Sequence, residues 1–196
     1  MTSRAIILSC IIITVALATN WFLDENNPLP DVEDLTRNDA DLYMLDATIK
    51  QYSDDGKLHH ELSAERFTHF PLTDWTTLVT PNIILFSDDA IPWAITAQQG
   101  RMITDSSFRE EVVELWGDVL AVKQNPDGSF INIQSEELTV YPERDYAETD
   151  KNVYIDDNSG RTTAAAMQAN FVEGKFSFSS GSSERVHTIF LPAYRR

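Results

Sequence analysis

Three histidines lie close together, His59, His60 and His69, and imidazoles at short spacing suggest a metal centre or proton-transfer chemistry. On a strand, adjacent side chains leave opposite faces, so His59 and His60 do not converge, and polar-surface or strand-edge roles are expected instead. Asp54 and Glu65 have the end-to-end spacing of a calcium loop, but Gly56, Leu58 and His59 occupy positions that should supply oxygens and the central glycine. The acidic pairs Asp88-Asp89 and Asp156-Asp157 read as turn residues. No serine stands in a nucleophile-elbow motif and no glycine-rich loop could cradle a phosphate. The expectation is a protein with no catalytic residue, no metal ligand set and no cofactor.

Charge narrows the partners further. A formal net charge of −16 opposes binding to nucleic acid, whose phosphates require a basic surface, and opposes docking on anionic lipid head groups. A ligand would be held by apolar contact. Ile49, Leu62, Phe67, Leu78, Ile95, Met102, Ile133, Leu138 and Phe171 read as inward side chains, with Ala47 and Ala169 beside them. They line a groove or fill a core; the pattern alone allows both.

The elements that position these side chains are strands. From Ala47 to Tyr52 a β-prone run leads into the turn Ser53-Asp54-Asp55-Gly56, and the following run places Leu58, His60, Leu62 and Ala64 on one face, a hairpin signature. The grammar recurs around Trp93–Met102, Phe130–Leu138 and Thr163–Phe171; aligning Ala64, Ala97, Ser135 and Ala169 gives steps of roughly 33 to 38 residues. Between the copies stand a polar turn and a β-branched residue: Pro81-Asn82-Ile83, Gly117-Asp118-Val119 and Lys151-Asn152-Val153. Each unit therefore contributes about two strands. Val113, Leu115, Val119 and Ala121 alternate, as do Phe176 and Phe178. Helix is considered only for residues 162–170, where alanines cluster, and is discounted because that segment fills a strand slot of the repeat.

Ahead of this body, residues 5–23 form an apolar run near the length of a bilayer core. It reads as an uncleaved anchor because the run passes the small triplet Ala16-Leu17-Ala18 and ends at Trp21, Phe22 and Leu23; a cleaved leader is the competing reading. Arg4 precedes the run and acidic residues follow it, so residues 1–4 are expected in the cytoplasm and the body outside. Residues 24–46 read as an acidic tether carrying Pro28 and Pro30, residues 47–191 as the β body and residues 192–196 as a tail. The lone Cys10 lies within the apolar run, so the body has no disulfide of its own.

With an anchor, a tether and turn-separated strands carrying Tyr52-x-x-x-Gly56, Pro81-x-Ile83, Ile91-Pro92, Gly117-x-Val119 and Ser159-Gly160, the chain resembles the LptC family over essentially its whole length. It departs from the family pattern at Lys151-Asn152 and at Leu78. The resemblance implies an all-β, open V-shaped β-jellyroll built from repeated two-strand units, preceded by one N-terminal transmembrane helix in the inner membrane. It implies that lipopolysaccharide acyl chains lie between the sheets. It further implies that the first strands (Thr48, Tyr52, Gly56) meet the ABC transporter subunits LptF and LptG, and that the last (Ala169, Phe176, Phe178) meet the bridge protein LptA. The alternatives are an anchored envelope scaffold with a filled β core and protein partners only, or, more distantly, a secreted enzyme with a cleaved leader.

Overall fold

The structure, a computed structural model, describes residues 38–86, 91–104, 110–181 and 185–191. The expected membrane helix, most of the tether and the tail 192–196 lie outside the described residues. Among the described residues no helix is long and apolar enough to cross a membrane.

Apart from one turn of 3-10 helix at Pro142–Arg144, the described chain is antiparallel β. Its strands are β1 (Leu42–Tyr52), β2 (Leu58–Phe70), β3 (Trp75–Val79), β4 (Asn82–Leu85), β5 (Trp93–Thr96), β6 (Gln99–Ile103), β7 (Val112–Gln124), β8 (Phe130–Tyr141), β9 (Tyr146–Thr149), β10 (Val153–Asp157), β11 (Gly160–Ala164), β12 (Ala166–Asn170), β13 (Lys175–Ser179) and β14 (His187–Phe190). They join in one 14-stranded sheet, consistent with a jellyroll. The alanine-rich segment at 162–170 is strand, as the repeat requires. The first strand starts at Leu42, inside the stretch read as tether.

Register shows that this sheet is folded along a line across its strands. One layer runs β1-β2-β4-β5-β7-β8-β10-β11-β14. The other runs β1-β2-β3-β6-β7-β8-β9-β12-β13. The long strands β1, β2, β7 and β8 pass through both. Where they cross, the ladder skips: Leu45 pairs with Arg66 and Ala47 with Ala64, leaving out Asp46, and the β7–β8 register shifts between Trp116 and Val119. The backbone turns there by residues at positive φ, namely Asp46 (47°), Thr80 (52°), Gly117 (78°) and Asp118 (51°). Glycine adopts this conformation without steric cost, and Asp tolerates it better than most residues. The crease keeps lateral bonds: Thr80 N–H donates to Gln98 O at 2.8 Å and Gln98 N–H to Gly117 O at 2.9 Å.

Small side chains occupy the inner angle of the crease, where Ala64, Ala97, Ser135 and Ala164 are buried. Two facing layers converge there, and close packing leaves no volume for a larger residue. The repeat seen in the sequence is thus the spacing between successive crossings of the crease, and Pro81, Gly117-Asp118 and Lys151-Asn152 are its turns. One member of the alignment is corrected: the counterpart of Ala64, Ala97 and Ser135 is Ala164, whereas Ala169 lies farther out, next to the end of β12.

The layers enclose one hydrophobic cluster, in which Leu62, Ile83, Leu85, Ile95, Val113, Leu115, Ile133, Val140 and Met167 are all at most 2% exposed. At the far end, β14 rests against β11 so closely that a Cβ added at Gly160 (φ 154°) would lie 1.9 Å from Ile189 O. Gly160→Ala should therefore displace β14. Because β14 is exposed along its length, global stability should fall by no more than about 1–3 kcal/mol, while amides 187–190 lose hydrogen-exchange protection. Retained protection would show that the close approach is not what seats this strand.

Candidate functional site

The inward residues expected from sequence are brought together. Leu62, Phe67, Leu78, Ile95, Met102, Ile133, Leu138, Ala169 and Phe171 are buried in the shared cluster, and Ala47 and Ile49 are half-buried against it. Alternation accounts for this: on β2 the buried positions are His60, Leu62 and Ala64, and after the crease Phe67. Apart from His60, such a face is apolar and can hold apolar matter. Among the described residues no group of three or more His, Cys, Asp or Glu is gathered as a metal site.

The two layers do not cover each other completely. On the inner face of the second layer, at the β1 end, Leu42, Met44, Phe67, His69, Thr76, Met102 and Thr104 surround an apolar cleft of about 250 Å³. Its floor is the buried pair Phe67 and Met102, so it is continuous with the core. At its rim His69 Nδ1 lies 2.6 Å from Asp41 Oδ1, with Asp74 on the other ring nitrogen at 3.6 Å. The bond to Asp41 is the main reason the His69 pKa is raised above the ordinary imidazole value. Of the residues expected from sequence only Phe67 and Met102 line this cleft. Leu42 and Met44 were passed over because they stand in the stretch read as tether, although their alternation continues that of β1. Larger depressions of about 490 and 1000 Å³ lie elsewhere, lined mainly by polar residues such as Glu137, Asp150, Gln98 and Lys151, and are unsuited to an apolar ligand.

At the other end the free rims of the layers meet. Trp93, the first residue of β5, stacks at 4.7 Å on Phe171 and at 6.0 Å on Phe176 from the β12–β13 hairpin. Beside it His60 Nε2 lies 3.2 Å from Glu111 Oε1, and His59 Nε2 lies 3.4 Å from Asp145 Oδ2. The expectation of a surface role is corrected for His60, which is only 2% exposed, turned inward by the alternation of β2; His59 is partly exposed. Asp145 is held by its corner, where Arg144 lies over the Tyr141 ring at 4.3 Å, and Tyr141 and Tyr146 donate to the Glu148 carboxylate at 3.1 and 2.8 Å. Burial and that bond push the Tyr146 pKa up to about 12. The contact is not free of cost. Among the described residues His60 Nδ1 and Trp93 Nε1 are buried without a hydrogen-bond partner, at about 1–3 kcal/mol each.

The edges complete the site. β1 is the outer strand of both layers at one end, with Leu42, Tyr43, Leu45 and Tyr52 between 49% and 68% exposed. Thr48 is exposed on this strand and Gly56 lies in the turn that follows it. At the opposite end β13 and β14 are the outer strands. Phe176 and Phe178 are on the β13 edge with their rings half-buried, while Lys175, Ser177 and Ser179 are exposed. Ala169 is not at an edge: β12 is paired on both sides, with β9 and β13. Sequence reasoning did not single out β14, whose Ile189 and Phe190 are 54% and 78% exposed.

No curated protein sequence matches the chain. Among solved structures, the fold resembles LptH of Pseudomonas aeruginosa, described as the LptA-homologous periplasmic component of the conserved lipopolysaccharide transport device. The TM-score is 0.51 at 9% identity, with 77% of this chain and 94% of that one covered. At this identity the likeness is one of fold. The family described as lipopolysaccharide-assembly, LptC-related, matches residues 8–185, and by that match the chain belongs to the LptC family.

Proposed function

We propose that this chain is a non-enzymatic conduit of lipopolysaccharide export. It is anchored in the inner membrane by residues 5–23 with the N-terminus in the cytoplasm, and its β body stands in the periplasm. It accepts lipopolysaccharide from an ABC transporter through LptF and LptG and passes it to the bridge protein LptA. The acyl chains lie between the layers of a jellyroll that opens as a V. The observation that carries this reading is the apolar cleft between Leu42, Phe67 and Met102, which leads into the core of an LptC-family fold with edge strands at both ends among the described residues. Physical need points the same way. Each methylene kept out of water is worth about 0.8 kcal/mol, so several acyl chains cross an aqueous compartment only under cover, and free edges allow a neighbouring jellyroll to extend that cover by strand addition.

One observation favours the scaffold alternative: Leu62, Ile95 and Ile133 are at most 2% exposed, so the deep interior is filled as it stands. Photocrosslinking in cells separates the two. Probes replacing Met102 in the cleft, and Leu78 and Ile133 deeper in, should give lipopolysaccharide adducts that depend on ATP, while a probe at the outward Asn132 gives none. Adducts to protein alone at all four positions would replace the conduit by the scaffold.

A further inference from the structure

Every strand pairing of the described sheet lies within a layer or passes through the crease; none joins the two free rims. The rims are held to each other by side chains: Trp93 on Phe171 and Phe176, His60 against Glu111, and His59 against Asp145. Opening the rims therefore breaks no ladder among the described strands and turns about the crease, where positive-φ residues already bend the backbone. The closed state also buries two polar atoms that have no partner among the described residues, His60 Nδ1 and Trp93 Nε1, and both belong to side chains that close the rim. Water reaching an open rim would satisfy both, so the contact gains less than its area suggests. Close packing, imidazole–carboxylate contacts and polar atoms without described partners in one place make an element with two arrangements of similar free energy.

We propose that His59–Asp145 and His60–Glu111, with Trp93 between the layers, form a releasable latch, and that the interior opens sideways along this rim to admit acyl chains. The lipid half of this rests on the conduit reading above; the latch itself does not. His59 and Asp145 are its adjustable pair, because the His59 side chain is 25% exposed and tolerates substitution better than buried His60.

The test uses the full chain carrying Cys10→Ser, with spin labels at Lys57→Cys and Glu143→Cys, exposed positions at the rims of the two layers. His59→Glu sets a carboxylate against Asp145 and should lengthen the label separation. His59→Glu with Asp145→Asn restores a hydrogen bond and should return it to the wild-type distribution. An unchanged distribution in folded His59→Glu overturns the latch. Should that variant fail to fold by circular dichroism, Asp145→Ala alone, which removes the acceptor, is read in the same way, lengthening supporting the latch and no change overturning it.

A second arm joins His59→Cys to Asp145→Cys with a short, cleavable bismaleimide in the Cys10→Ser chain. Lipopolysaccharide adducts at a probe replacing Ile133 should be lost when the rims are joined and regained on cleavage. Adducts that persist while joined overturn the rim as the lipid route. Absence of adducts even in the unjoined chain overturns the conduit reading, while the label distances still decide the latch.

Discussion

Replacing Ile133 with Asp is expected to remove most of the stability of the β body. Ile133 is 2% exposed on β8 and is paired with Ala121 on one side and Ile155 on the other. Neither neighbour offers a side-chain donor. Loss of the isoleucine side chain alone costs about 2–5 kcal/mol, and a carboxylate in that position either remains charged without a partner or binds a proton at a further cost of several kcal/mol. Against a domain stability of about 5–15 kcal/mol, the variant should be largely unfolded in urea titrations at concentrations where the parent is native. Asn132→Asp, one residue along and facing the other way, should change stability by no more than about 0.5 kcal/mol. If Ile133→Asp folds with a loss near that of its neighbour, the interior of β8 is already hydrated and the rims stand open in solution.

This contrast also shows what sequence could and could not deliver. Alternation along β2, β7 and β8 identified the inward face because side-chain direction in a strand is a local property of period two, and the turn at Asp55-Gly56 fixed the first hairpin. The spacing of Ala64, Ala97 and Ser135 was visible before its meaning, which is that small residues mark where a sheet folds on itself. What stayed hidden depends on residues distant in the chain. His60 looked like surface because its partner, Glu111, lies far along the chain, just before β7 in the facing layer. Ala169 looked like an edge because it is near the end of the chain, yet β13 doubles back over β12 and β14 crosses to β11. The cleft at Leu42 and Met44 escaped notice because an acidic, proline-bearing approach masked the start of β1.

The outer strand β13 allows the proposed bridge-protein edge to be tested. Consecutive N–H groups of an edge strand point alternately toward the neighbouring strand and toward solvent. Of Phe176→Pro and Ser177→Pro, one therefore removes a ladder bond to β12 and the other removes only an outward donor, since proline has none. Phe176 and Ser177 pair with Ala169 and Gln168, so both sites lie mid-strand, where strand addition would be most sensitive. The outward variant should lose LptA binding in a pull-down while binding of the transporter is retained; its thermal stability should stay close to that of the parent if it is Ser177→Pro and fall if it is Phe176→Pro, which also removes the ring stacked on Trp93. Proline at Gln168, which is paired on both sides, should instead destabilise the sheet by roughly 3 kcal/mol and lower both interactions together. If LptA is still held by the outward β13 variant, strand addition at β13 is excluded. The next edge to test is then β14, whose exposed Ile189 and Phe190 present the other unpaired strand at that end.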